Sequence, residues 1–242
     1  TSQYTKWSHE IHHPGDVPMA VRRAFKEAKT PPTGPTFLSF PWDTMDETAD
    51  VDIIGSSPGY YRQRPDTAAL AQASRLLSQA DNPVIVIGDR IAQSGGMEQM
   101  VQVAERLGAR VYATSFSEVN FPTSHPLYSG VLNTSSPATR RLLSGADVVL
   151  AVGANIFSSF LYVGEPFLDP ATKLVHLDNN SSEVEKVYAT EVGVLADPAT
   201  GLAELADALD QDMSASSKEA AVTRSAGLAE ARRRANDDYQ RQ

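Results

Sequence analysis

The chain has 242 residues, a formal net charge of −9 and no cysteine. The acidic balance argues against a nucleic-acid surface, because no basic field is available to release counterions. The missing thiols exclude disulfides, zinc–thiolate sites and cysteine nucleophiles, and no apolar run approaches the roughly 20 residues of a membrane span. We therefore expect a cytoplasmic protein whose partners include neither nucleic acid nor a membrane.

The first 46 residues predict one helix followed by one strand. Asp16 is the expected N-cap of a helix over Pro14–Lys29. A short β-prone run follows at Thr36–Phe40, and Pro41 cannot donate a hydrogen bond to continue a central ladder. A lone strand cannot form a domain, so this region predicts a piece cut from a larger protein. The apolar stripe of the helix is Val17, Val21, Ala24, Phe25 and Ala28.

A regular α/β pattern begins at residue 65, after an acidic, Gly- and Pro-containing stretch at 47–64 that is typical of a linker. Strands that are apolar on both faces and alternate with helices indicate a parallel sheet covered on both sides, so residues 65–210 predict a doubly wound, Rossmann-like domain. The predicted strands are Pro83–Gly88, Arg110–Thr114, Asp147–Gly153, Lys173–Asp178 and Gly193–Ala196. The predicted helices are Asp66–Ala80, Gly95–Leu107, Pro137–Ser144, Ser181–Tyr188 and Pro198–Leu209.

The last region, residues 211–242, predicts a polar linker at Gln211–Ser217 and then a charged, Ala-rich helix that leads towards a further domain.

Open parallel sheets bind ligands at the carboxyl ends of their strands. Asp178 ends a strand where dinucleotide folds often place a ribose-binding acid, and an Asx turn is an equal alternative. The glycines of GDRIAQSGG are too far apart for a tight dinucleotide turn, so a structural role for Gly88 is favoured. The candidate nucleotide-binding residues are Gly88, Asp89, Gly153, Ala154, Asn155, Asp178 and Asn179.

The histidines offer no metal site. His125 lies between two prolines and is interpreted as a structural hydrogen-bonding residue, and His176 lies in a buried strand as a core histidine. The side chains of His12 and His13 diverge, because they are adjacent in sequence. Nucleophile-elbow, P-loop and H-E-x-x-H motifs do not occur.

Several motifs in order resemble the thiamine-diphosphate-dependent 2-oxo-acid enzymes. D-V-P-x-A-x-R-R-A-F at Asp16–Phe25 and T-P-P-T-G-P-x-F-L-S-x-P-W-D at Thr30–Asp43 resemble the end of their pyrimidine-binding domain. Phe121–Leu132 is similar to the middle-domain loop of acetolactate synthases and benzoylformate decarboxylases. Ala104–Val111 and Gly145–Phe157 resemble the benzoylformate decarboxylase branch.

The resemblance implies an organisation in which residues 1–46 are a remnant of the pyrimidine-binding domain and residues 65–210 are the middle domain. Residues 211–242 would lead into a diphosphate-binding domain. The parent enzyme would be a homo-oligomer, a dimer or tetramer, and would use thiamine diphosphate and Mg²⁺ to decarboxylate or ligate a small 2-oxo acid. The family's activating glutamate and its G-D-G…Asn motif are not in this sequence, so the chain alone is expected to be inert.

The resemblance also assigns a pocket wall but no catalytic residue. Phe157, Ser158, Ser159, Phe160 and Leu161 would line the substrate pocket, and Phe160 aligns with a proton-relaying histidine of benzoylformate decarboxylases. A benzyl side chain cannot carry a proton, which puts benzoylformate in doubt as the substrate. Some family branches bind FAD or ADP in this domain, but their Arg-containing loop is not evident here. The competing interpretation is a nucleotide- or CoA-binding regulatory module.

Overall fold

The computed structural model describes residues 3–55, 62–157 and 164–241, which belong to two compact units, 1–61 and 62–242. In the first unit, β1 (Trp7–Glu10) and β2 (Thr36–Ser39) form a parallel two-stranded sheet. Helix α1 (Val17–Lys29) connects them and buries Ala20 and Ala24. The short helix α2 (Trp42–Asp46) follows β2. This unit is therefore a small β–α–β arrangement.

Two expectations for the first unit were wrong, and a third holds only in part. The strand at Thr36 is not alone, because Trp7–Glu10 pairs with it, and the exposed, mostly polar WSHE sequence gave no strand signal. Asp16 is the N-cap residue of α1, as expected, but its side chain makes no capping hydrogen bond. A 3₁₀ turn precedes the helix, and at its start His13 Nδ1 accepts the N–H of Gly15 at 3.0 Å. Phe25 is 62% exposed and so lies outside the buried stripe.

The second unit contains a six-stranded parallel sheet in the order β5–β4–β3–β6–β7–β8. The order reverses between β3 and β6, so the sheet is doubly wound and has a topological switch point there. The predicted Rossmann-like α/β fold class is thus confirmed. The strands are β3 (Val84–Ile87), β4 (Arg110–Thr114), β5 (Tyr128–Leu132), β6 (Val148–Val152), β7 (Lys173–Asp178) and β8 (Val192–Leu195).

The two faces of this sheet are covered differently. Ile85 and Ile87 of β3 join a core with helices of one layer, whereas Val84 and Val86 face a second core, as the two-residue period of a strand requires. That second core is completed by Leu143 and by aromatic residues of irregular segments. The helices are α3 (Thr67–Ser78), α4 (Arg90–Ser94), α5 (Met97–Leu107), α6 (Ala138–Leu143), α7 (Pro198–Asp212) and α8 (Ala215–Gln240).

The structure differs from the predicted elements at several places. Strand β5 was not predicted because its sequence, YSGVL, contains Ser and Gly and only Leu132 is buried. Gly95 has φ 73° and ends α4, whereas a helix was expected to begin there. Ser181–Tyr188 forms turns and no helix. The predicted linker at Gln211–Ser217 is mostly helical, because α7 extends to Asp212 and α8 begins at Ala215.

Helix α8 packs directly on the sheet unit. Gly108 ends α5 at φ 57°, and a Cβ atom there would lie 2.2 Å from the carbonyl oxygen of Ala221. Arg224 donates to the carbonyls of Leu107 at 2.6 Å and Asp81 at 3.2 Å, and burial lowers the pKa of its guanidinium. These contacts fix the first half of α8 against α5. Among the described residues, no helix is both long and apolar enough to cross a membrane.

Candidate functional site at the carboxyl edge of the sheet

A cavity of about 390 Å³ lies at the carboxyl ends of β3, β4, β5 and β6, at the switch point of the sheet. Its volume is within the range of small-molecule sites. Because strand ends supply its walls, the backbone positions of the lining residues are set by the sheet. The lining residues are Gly88, Asp89, Arg90, Thr114, Ser115, Phe116, Asn133, Thr134, Ser135, Gly153 and Asn155.

Two glycines allow the ends of β3 and β6 to approach each other. A Cβ atom on Gly88 would lie 2.5 Å from the carbonyl oxygen of Gly153, and Gly153 itself has φ 55°. The Gly88 N–H donates to Val152 at 3.0 Å, and the Arg90 N–H donates to Gly153 at 3.3 Å. Gly88 therefore has the structural role expected of it, since a larger residue would push the two strand ends apart.

Arg90, which lines this cavity, forms a buried ion pair with Asp178. Arg90 Nε and Nη2 contact the two carboxylate oxygens of Asp178 at 2.7 and 2.8 Å, and Nη2 also donates to Asn155 Oδ1 at 2.9 Å. Asp178 is fully buried, and the Arg90 side chain is 15% exposed. This bidentate geometry is the strong form of an arginine–carboxylate contact. It neutralises the positive charge of Arg90.

The surroundings keep Asp178 ionised. Burial acts to raise the pKa of its carboxyl group, but the contacts of His176 and Arg90 outweigh burial, with help from the N–H of Asn180, and the pKa lies below its ordinary value. The Asn180 N–H donates to Asp178 Oδ1 at 2.8 Å, which is the Asx turn considered above. In this arrangement both carboxylate oxygens already have partners inside the protein.

The structure brings together four of the seven predicted nucleotide-binding residues. Gly88, Asp89, Gly153 and Asn155 line the cavity. The other three, Ala154, Asp178 and Asn179, are not among its lining residues. Ala154 and Asp178 are fully buried, and Asn179 holds its Oδ1 buried without a hydrogen-bond partner in the described part of the chain.

The loop after β4 supplies a wall of the cavity, but none of its residues was among the predicted site residues. Asp89 Oδ1 accepts the N–H of Glu118 at 2.6 Å, and the buried Asn120 accepts the N–H of Ala92 at 3.0 Å. Phe116 is held in this loop at φ 60° and is 98% exposed. A left-handed backbone is unusual for an aromatic residue and often marks a functional position. Its place directly after a predicted strand was the available sequence signal.

Of the predicted pocket wall, only Phe157 is described, and Ser158, Ser159, Phe160 and Leu161 lie outside the described residues. Phe157 is buried at φ 54°, with its ring centroid 5.3 Å from that of Phe167 and 5.4 Å from that of Tyr188. The Tyr188 hydroxyl also accepts the N–H of Phe167 at 2.8 Å. The aromatic cluster thus packs around Phe157, the first residue of the predicted wall.

The two histidines singled out from the sequence have structural surroundings. His125 Nε2 lies 3.3 Å from Glu105, its Nδ1 accepts the N–H of Leu127 at 3.3 Å, and its ring packs edge-on against Phe121. His176 is buried, with Nε2 3.4 Å from Asp178 Oδ2. Within the described ranges, no cluster of three or more acidic or histidine side chains could hold a metal ion.

A doubly wound parallel sheet with a cavity at its switch point is typical of a Rossmann-like domain, and this is the class of the second unit. Residues 70–205 match the family model for the central domain of thiamine pyrophosphate enzymes. The chain therefore belongs to the thiamine pyrophosphate enzyme family, and the family resemblance read from its motifs is confirmed. The match favours a central domain over a separate regulatory module.

Relatives from the decarboxylase and synthase branches agree with this assignment. Benzoylformate decarboxylase of Pseudomonas aeruginosa is 32% identical over 184 residues, covering 75% of this chain and 35% of the relative. The acetolactate synthase large subunit of Corynebacterium glutamicum is 27% identical over 211 residues, covering 85% of this chain and 33% of the relative. The crystal structure of benzoylformate decarboxylase from Polynucleobacter necessarius matches with a TM-score of 0.75 and 28% identity, and the match covers 85% of this chain and 38% of that structure. The chain thus spans about a third of the length of these relatives.

Proposed function

We propose that this chain is the central region of a thiamine-diphosphate-dependent enzyme that decarboxylates or ligates a small 2-oxo acid. The match of residues 70–205 to the central domain of that family carries the proposal. In this proposal the sheet unit ties the pyrimidine-binding and diphosphate-binding domains together. Phe157 and the following residues, 158–161, lend a wall to the substrate pocket, and the parent enzyme assembles as a dimer or tetramer.

The residues of the carboxyl-edge cavity do not fit thiamine diphosphate and Mg²⁺. Mg²⁺ bound to a diphosphate requires carboxylate or carbonyl oxygens, and the described residues contain no cluster of metal-binding side chains. A diphosphate is stabilised by positive charge or by backbone N–H groups, and the guanidinium of Arg90 is already paired with Asp178. We therefore assign the cofactor ligands to other domains of the parent enzyme. We propose that the chain by itself is catalytically inactive.

The same charge balance bears on a bound FAD or ADP. The cavity offers Gly88, Asp89, Gly153 and Asn155 to such a ligand, and these residues remain the candidate nucleotide site. Asp89 adds a negative charge next to the neutralised Arg90, so a nucleotide diphosphate would meet no unpaired cation among the described lining residues. We propose that the domain does not retain FAD or ADP as a fixed cofactor.

A thermal-shift experiment on the 242-residue chain tests the cofactor assignment. Thiamine diphosphate with Mg²⁺ should leave the melting temperature unchanged, because we assign the cofactor ligands to other domains. If the cofactor did bind, a concentration of 100 times its dissociation constant would add about 2.7 kcal/mol of stability. Mg²⁺ alone is the control for an ionic effect. A clear upward shift with the complete cofactor would contradict the assignment.

Calorimetric titration with ADP, FAD and CoA tests the nucleotide assignment. We expect no binding at micromolar concentration to the unmodified chain. Submicromolar binding of any of the three, removed by Gly153→Val in a protein that still folds, would overturn it and would restore the interpretation as a binding module.

A further inference from the structure

A second cavity, of about 480 Å³, lies in the same unit between the edge strand β5, the neighbouring β4 and the second half of α8. The pairing of β4 with β5 shifts register between Val111 and Tyr112, and Gly130 there has φ 109°. This irregularity interrupts the regular pairing at the sheet edge. Helix α8 contributes Leu228 and Asn236 to the lining of the cavity.

Two arginines line this cavity, Arg110 from β4 and Arg232 from α8. Neither has a carboxylate partner among the described residues, and no described lining residue is acidic. The chain as a whole carries a net charge of −9. Two unpaired guanidinium groups at one cavity are thus a local departure from the acidic character of the protein, and a cavity lined by one sign of charge attracts the opposite sign.

The two guanidinium groups retain hydrogen-bonding capacity. A guanidinium has five N–H donors. Arg110 uses one of them, to Asn82 Oδ1 at 3.2 Å. Arg232 uses three, to the carbonyls of His125 and Tyr128 at 2.8 Å each and to that of Thr123. Arg232 is therefore held in place by the loop that it contacts, with two N–H groups left over.

The rest of the lining is half apolar. Tyr128 presents an aromatic ring with a hydroxyl group that donates or accepts, and Leu228, which packs against the same core, adds an aliphatic surface. Planar guanidinium groups match the two oxygens of a carboxylate, and aromatic and aliphatic side chains match an apolar body. We infer that this cavity is a binding site for a small organic carboxylate with an apolar body, distinct from the cavity at the carboxyl edge.

The inference is tested by calorimetry on the 242-residue chain with sodium benzoate as the probe, at constant ionic strength. Benzoate should bind saturably, with a dissociation constant of about 1 mM or below. Arg110→Gln should raise that constant about tenfold, since a charge-assisted hydrogen bond contributes roughly this much. Arg110 carries the test because Arg232→Gln would also loosen the loop before β5.

The matched control is Arg233→Gln, which removes the same charge from an exposed position next to Arg232 that does not line the cavity. It should leave benzoate binding unchanged. Equal weakening by both variants would overturn the site, because it would show general charge attraction. Benzyl alcohol binding as tightly as benzoate, or inorganic phosphate binding in place of benzoate, would overturn the carboxylate assignment. Absence of saturable binding would overturn the inference entirely.

Discussion

The two cavities of the sheet unit differ in what their arginines contact. At the carboxyl edge, Arg90 is paired with the fully buried Asp178, so its positive charge is neutralised within the protein. At the β5 edge, Arg110 and Arg232 contact only neutral acceptors within the described residues. The first cavity therefore lies where doubly wound domains usually bind ligands but has no cation to offer. The second lies at an unusual place and has two.

The comparison shows that the position of a cavity and its charge are separate predictors of a ligand. Topology alone selects the switch point between β3 and β6. The search for positive charges without a carboxylate partner instead selects the cavity between β5 and α8. The experiments below separate a structural arginine from arginines available to a ligand.

The largest effect is expected for Asp178→Asn. It leaves the mostly buried guanidinium of Arg90 without a countercharge, which should lower the free energy of unfolding by about 3 kcal/mol. Urea denaturation measures the change. Asp210→Asn is the matched control, since Asp210 also forms a bidentate pair, with Arg106, but is half exposed, so its loss should cost less than about 1 kcal/mol. Equal costs would mean that the Arg90 pair is not special.

The pH dependence of the same pair follows from the lowered pKa of Asp178. An acid whose pKa is lower in the folded than in the unfolded state stabilises the fold above its unfolded value, near 3.9, and loses that contribution as the pH falls through the folded value. The stability difference between the unmodified chain and Asp178→Asn should therefore be constant from pH 5 to 7. It should shrink below about pH 4. A difference that grows in acid would contradict the assignment of the ionised carboxylate.

The sequence predicted the buried parts of this architecture and missed the exposed ones. The apolar runs at Val84–Ile87 and Val148–Val152 are fully buried, so hydrophobicity alone located them. Trp7–Glu10 and Tyr128–Leu132 are edge strands in which only Leu132 is buried, and their pairing depends on partners distant in sequence. Local pattern therefore located the carboxyl edge but not the second cavity, which is formed by the missed strand Tyr128–Leu132 and a helix.

The candidate site was only partly predictable for the same reason. Gly88 and Gly153 follow recognisable strands, so their place in the first cavity could be expected. The pairing of Arg90 with Asp178 joins residues 88 positions apart, and no spacing rule connects them. That pairing argues against Asp178 as a ligand-binding residue, because both of its carboxylate oxygens already have partners inside the protein.

The smallest effects concern the attachment of α8, which forms one wall of the second cavity. Gly108→Ala forces a side chain into a left-handed position, 2.2 Å from the Ala221 carbonyl, so the free energy of unfolding should fall by more than about 1 kcal/mol. Because Arg232 lies on the same helix, benzoate binding should weaken as well. Calorimetry and urea denaturation of the same preparation measure both quantities.

Gly227→Ala provides the opposite change on the same helix. Apart from its own helix backbone and its chain neighbours, no atom of the described structure would lie within 4 Å of a Cβ atom at this position, and the residue lies inside α8. Alanine should therefore raise stability by about 0.5–1 kcal/mol through its higher helix propensity, with benzoate affinity unchanged. If Gly108→Ala lowered stability but left benzoate affinity intact, α8 would not be required for the second cavity, and the contrast between the two cavities would rest on Arg110 alone.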